Sequence, residues 1–143
     1  MGLDMYAYRS KQDLGNIIQV TDNLVEDSHT GLHLLCHWRK FNALHGWMER
    51  EIYEIKYEGT DLFNCIGIKI EASDLDTLHS EIEGILTSDR SDEPYAGKLL
   101  PVEGFFFGSQ VIEDADLIQT RDFIRVAKEV ISDGQFIYYD SWW

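Results

Sequence analysis

The chain predicts an α+β fold, one domain over residues 1–143 in which a mostly antiparallel sheet carries about three helices on one face. Three observations lead there. Strand-like and helix-like periodicities follow one another irregularly, without the strand–helix–strand rhythm of a parallel sheet. The 143 residues suit one domain with a real core. Hydrophobic residues make up 44% and aromatics 13% of the chain, a composition that folds and does not stay disordered. No internal repeat, linker or low-complexity segment interrupts it.

Leu3 to Tyr8 alternates weakly and reads as a strand, with Asp4 facing solvent or a site. Arg9 to Asn16 is turn-like, Ile17 to Val20 a short strand, and Thr21 to Gly31 a polar loop. His29, His33 and His37 recur four residues apart, as metal-binding histidines do on a helix. Thr30-Gly31 spoils that helix, so no metal site is expected. On a strand, His33 and His37 would share a face.

Residues 35–48 hold two of the four tryptophans and read as a helix entered from a short strand or turn. Phe41, Leu44 and Met48 make an apolar stripe near a period of 3.6, flanked by Trp38 and Trp47. Arg39, Asn42 and Gly46 make a second stripe, with His45 at the border. Arg39 offers a planar fork for a carboxylate or phosphate, His45 titrates near neutral pH, and Asn42 both donates and accepts. The plainer alternative pairs Arg39 with an acid and leaves His45 capping the edge of the core.

Ile52 to Tyr57 alternates as a strand would, or continues the helix. Gly59-Thr60-Asp61 is a turn, and Phe63 to Glu71 is the clearest strand, with Ile66, Ile68 and Ile70 on one face. Cys65 has no adjoining His or Lys and reads as a buried structural thiol. With Cys36 it makes too few cysteines for a disulfide scaffold, so both are expected reduced. Ser73 and Asp76 resemble a capping box before a helix from about Asp74 to Leu86. Ser88 to Lys98 is a loop. The run Phe105-Phe106-Phe107 between glycines is expected to line the core or a pocket. A last helix runs from Asp116 to Ile131 and ends at Gly134, and Phe136 to Tyr139 closes the sheet. The terminal Trp142-Trp143 is expected to be packed.

Charge is uneven. Residues 1–50 carry six acids and five bases, a net of −1, and residues 51–143 carry twenty acids and seven bases, a net of −13. Together these make the −14 of the chain. Such a surface repels nucleic acid and membrane phosphates, so no direct nucleic-acid or membrane partner is expected. Scattered acids are the ordinary solvated face of a protein. Docking onto a basic partner is the sharper reading. No apolar run reaches bilayer length, the N-terminus lacks a signal peptide's regions, and Tyr6 stands where a myristoylation signal needs Ser or Thr. The expected location is the cytoplasm.

Four blocks then stand together: Gly-Leu-Asp-Met-Tyr at the start, Trp-Arg-Lys-Phe-Asn-Ala-Leu-His-Gly-Trp in the centre, Leu-Leu-Pro-Val-Glu-Gly-Phe-Phe-Phe-Gly-Ser, and Tyr-Tyr-Asp-Ser-Trp near the end. In combination they resemble a family of small phage and prophage proteins. The positions within the blocks are Asp4, Tyr6, Trp38, Arg39, Lys40, Asn42, His45, Trp47, Gly104, Phe106, Gly108, Ser109 and Ser141. The resemblance implies an accessory protein working in the cytoplasm of an infected bacterium. That family has no assigned activity, so no catalytic residue carries over.

The expected function is binding of a small anionic, nucleotide-like ligand, as a counter to host defence. Arg39 and Lys40 would hold the anion, Trp38, Trp47, Phe106 and Ser109 would line the site, and Asp4, Asn42 and His45 would orient the ligand. A small hydrolase or transferase with His45 as acid or base, Asp4 orienting it and Arg39 stabilising charge is one alternative. An acidic protein inhibiting a basic host nucleic-acid enzyme is another. The residues call for no cofactor and specify no oligomeric state.

Overall fold

The computed structural model describes residues 2–21, 31–88, 92, 94–102 and 111–143. Among them the chain forms one five-stranded antiparallel sheet and three helices, a single α+β domain. The strands are β1 (Asp4–Ser10), β2 (Ile17–Gln19), β3 (His33–Arg39), β4 (Ile66–Ile70) and β5 (Phe136–Trp142), ordered β2-β4-β5-β1-β3. Helix α1 (Asn42–Trp47) continues into wider π-type turns over Met48–Lys56. Helix α2 is Ala72–Ser88 and α3 is Asp114–Ser132.

Period-two alternation divides each strand between two faces. Met5 and Ala7 of β1, Trp38 of β3, Ile68 and Ile70 of β4, and Ile137 and Tyr139 of β5 meet Leu44, Leu75, Leu78, Leu117 and Phe123 of the helices in one core. Tyr8, Ile18, Leu32 and Tyr138 form a smaller cluster on the opposite face, under the segment that holds Leu14. The Tyr138 hydroxyl accepts from Leu14 N at 2.8 Å and donates to Gly15 O at 2.9 Å, which ties that segment down. The rest of this face carries Asp4, Tyr6, His37, Arg39, Asp140 and Trp142, and no helix among the described residues covers it.

Several expectations change. Arg39 closes a strand and does not lie on the helix: Asp4 pairs with Arg39 and Met5 with Trp38, and the chain turns at Lys40 with a left-handed φ of 58° before Asn42 starts α1. The strand wins because its alternation fits the pleat that β1 offers, which cannot be seen without the partner strand. His33 and His37 do not share a face. A bulge at Leu35 lets Ala7 pair with Cys36 and Tyr8 with Leu34, so His37 faces Tyr6 while His33 faces Arg9. One extra residue inverts the alternation beyond it.

Residues 52–57 belong to the helix and not to a strand. Tyr57 N bonds Ile52 O at 3.0 Å, a step of five residues that sets Met48, Ile52 and Tyr53 inward. An added Cβ at Gly59 would lie 2.2 Å from the Tyr53 ring, so only glycine lets the chain turn past that side chain. Helix α2 starts at Ala72, and Asp74, not Ser73, caps it by accepting from Glu71 N at 2.8 Å. Helix α3 ends where Gly134 takes a φ of 84° and Gln135 N reaches back to Val130 O at 3.1 Å. No helix among the described residues is long and apolar enough to cross a membrane.

Candidate functional site

The nine residues expected to share one site divide three ways. Trp38, Asn42, His45 and Trp47 are buried on the helix side, each 3% exposed or less. Asp4, Arg39 and Lys40 come together on the other side, at the end of β1 and β3. Phe106 and Ser109 lie outside the described residues, as do Phe105, Phe107, Gly104, Gly108 and His29.

The buried four have structural partners. Trp38 Nε1 donates to Thr120 Oγ1 at 2.9 Å and its ring meets Phe123 edge-on at 5.1 Å, so it docks α3 on the sheet. Asn42 Oδ1 accepts from Val102 N at 3.2 Å and pins the strap of residues 94–102 against α1. His45 Nδ1 lies 2.8 Å from the Tyr139 hydroxyl, and its ring stacks on Phe63 at 5.2 Å. Burial holds its pKa down to about 4, so the imidazole is neutral in ordinary solution. The ring is enclosed on the helix side of the sheet, away from Asp4 and Arg39, with which it was expected to share a site. Residues 41–48 are all buried, so the helix keeps no free polar stripe, because α1 is sandwiched between the sheet and the strap.

The open face is built in rows across the strands. One row runs Arg39, Asp4, Trp142; the next runs His37, Tyr6, Asp140. Asp4 Oδ1 lies 3.4 Å from Arg39 Nη1 and 3.3 Å from His37 Nε2, so one carboxylate oxygen steadies both side chains. The His37 ring stacks on Tyr6 with centroids 5.0 Å apart and planes 17° from parallel. Arg39 keeps 59% of its side chain exposed, so this pair orients the guanidinium without hiding it.

Gly2, Asp4, Arg39, Trp142 and Trp143 line a cleft of about 320 Å³ at the end of the first row. A Cβ placed on Gly2 would lie 3.7 Å from Arg39 Nη2 and 3.8 Å from Lys40 Nζ. Two cations therefore converge over the bare backbone of one glycine. Lys40 is exposed and has no ion pair among the described residues. Its left-handed turn, with Lys40 N bonded to Leu3 O at 2.8 Å, brings it back beside Gly2.

Trp142 is 64% exposed, against the expectation that the terminus is packed, because strand alternation turns it to the open face while Ser141 turns inward. Trp143 is held: its Nε1 donates to Phe63 O and its N to Asn64 Oδ1, both at 2.9 Å. Cys65 is exposed at a φ of 60°, not buried, and partial burial with the charge of Asp140 raises its pKa, which disfavours the thiolate. Among the described residues, no three His, Cys, Asp or Glu side chains form a metal cluster.

The sequence reading missed Gly2, His37, Trp142 and Trp143. The signal was present as three period-two pairs, Asp4–Tyr6, His37–Arg39 and Asp140–Trp142, which become one surface only when the strands are paired. Comparison with family models, curated proteins and solved structures finds no match for the chain.

Proposed function

We propose that the chain binds a small anionic ligand with an aromatic part, of nucleotide type, in the cleft between Gly2, Arg39, Lys40 and the two terminal tryptophans. The observation that carries this reading is the convergence of Arg39 and Lys40 over Gly2 beside an exposed indole. Arg39 supplies a bidentate fork already oriented by Asp4, and Lys40 adds a point charge. Trp142 offers a face for stacking and Trp143 a fixed wall. The cleft volume lies within the range of small-molecule sites. In a phage-type accessory protein, such binding would withdraw a nucleotide signal from host defence. The support for that setting is the combination of sequence blocks described above.

Isothermal titration with linear and cyclic nucleotides tests the reading. Binding by at least one nucleotide is expected, weakened about tenfold in Arg39→Lys, which keeps charge and loses the fork. Arg39→Ala should melt within about 0.5 kcal/mol of the parent, since exposed pairs contribute little. No heat from any nucleotide would remove the proposal, and so would unchanged affinity in Arg39→Lys.

A second reading, docking onto a basic host protein, rests on the net −13 of residues 51–143. It requires capture of a basic partner at low salt that is lost as salt screens the charges.

A further inference from the structure

The open face holds one polar group that the cleft, as described, does not use. Asp140 is 7% exposed, and its Oδ1 is buried without a hydrogen-bond partner. Its neighbours in the row explain this. Tyr6 stands on one side. On the β4 side, Ile18 and Val20 lean over Gly67, their carbons 2.8 and 3.1 Å from where a Cβ would lie. No cation among the described residues pairs with the carboxylate, and burial pushes its pKa up to about 6 against the backbone hydrogen bond from Ser141. Asp4 Oδ1 in the adjoining row is already shared by His37 and Arg39. Asp140 Oδ1 is shared with nothing.

Position gives that oxygen a use. Asp140 and Trp142 are two residues apart on β5 and on the same face, about 7 Å along the strand. A planar ligand anchored at Arg39 and Lys40 and laid along Trp142 brings its far edge to Asp140 after one pleat, the span of a nucleoside. A carboxylate only accepts hydrogen bonds. The edge that satisfies it is therefore one with adjacent N–H donors, as on guanine. Uracil offers one N–H between two carbonyls, and adenine sets an acceptor beside its amino group.

We propose that Asp140 reads the base, so that the ligand is a nucleotide whose ring presents paired N–H donors, guanine above all. This rests on the nucleotide reading of the cleft and narrows it. The bound donor edge would replace the water that Asp140 has lost. A base with a carbonyl there would leave the carboxylate facing another acceptor, which is the larger part of the discrimination.

The test is titration of the parent, Asp140→Asn and Arg39→Lys with guanosine, adenosine and uridine monophosphates. In the parent, the guanosine ligand is expected to bind at least about tenfold more tightly than the other two. Asp140→Asn, nearly the same shape and free of the buried charge, should reduce that preference to less than about threefold, chiefly by tightening uridine monophosphate, whose carbonyl then meets an amide N–H. Arg39→Lys should weaken all three alike. Equal affinities in the parent, or a uniform loss in Asp140→Asn, would overturn the inference and leave the cleft standing so long as Arg39→Lys still weakens binding. No binding by any of the three would overturn this inference, and with it the cleft reading if cyclic and other linear nucleotides also fail.

Discussion

His45 and Asp140 titrate against each other, and the stability of the protein should record it. The folded His45 pKa of about 4 lies below the ordinary value of 6.5. Its stability term is present above pH 6.5 and lost as pH falls through 4. The folded Asp140 pKa of about 6 lies above the ordinary 3.8. Its term is present below pH 3.8 and lost as pH rises through 6. Between pH 6 and 4 the two run in opposite directions, each spanning about 2–3 kcal/mol at most. Asp140→Asn should therefore be more stable than the parent by about 1–3 kcal/mol at pH 7 and fall more steeply between pH 6 and 4. Urea denaturation across that range measures it, and parallel pH curves for the two proteins would show that Asp140 is not the buried carboxyl described. His45 was legible in the sequence as a titratable group, but not as a buried one. Its partner Tyr139 is 94 residues away, and nothing local announces the pair.

At the scale of elements, the sequence was clearest where one period ran without interruption. Strand β4 shows Ile66, Ile68 and Ile70 in strict alternation, and α2 and α3 carry apolar residues at helical spacing. It was least clear from Leu35 to Tyr57, where a bulge, a left-handed turn at Lys40 and widened helical turns follow one another. Each shifts the period by a residue, so the aromatic spacing from Trp38 to Trp47 passed for one continuous helix. Capping shows the same dependence on tertiary partners. Asp74 Oδ2 caps Glu71 N and lies 2.8 Å from Lys56 Nζ, so one carboxylate joins the helix after Trp47 to the start of α2. Lys56 also lies 2.6 Å from Glu71, and these acids raise its pKa despite partial burial. Asp74→Ala should cost about 1–2 kcal/mol by chemical denaturation, mostly through the cap, whereas Asp74→Asn should recover more than half of that. Equal losses in both would assign the effect to charge and not to the cap.

At the scale of the whole molecule, the net charge opposes the proposed anionic ligand at long range. The chain carries a net charge of −14, and beside the cleft the cations of Arg39 and Lys40 favour entry of an anion. Salt screens the distant acids over about 8 Å at physiological strength while sparing close contacts. Association of an anionic nucleotide should therefore quicken, or at least not slow, between about 10 and 150 mM salt, opposite to ordinary electrostatic steering. Stopped-flow tryptophan fluorescence reads this rate. A steep slowing with salt would mean that the cleft's cations dominate the field beyond their own neighbourhood. The charge asymmetry was visible in the sequence from the start. That the cations converge over Gly2 was not, because it needs β1, β3 and the Lys40 turn in place together.

Nuclear magnetic resonance of the four tryptophan indole N–H groups during titration with guanosine monophosphate would report directly on occupation of the cleft. Trp142 and Trp143 line the cleft, whereas Trp38 and Trp47 are 1% and 2% exposed in the core. Saturable shifts of the Trp142 and Trp143 signals are expected, with none at Trp38 or Trp47, and with a midpoint about tenfold higher in Arg39→Lys. Signals that stay in place at millimolar nucleotide, or shifts confined to the two core tryptophans, would contradict binding in the cleft.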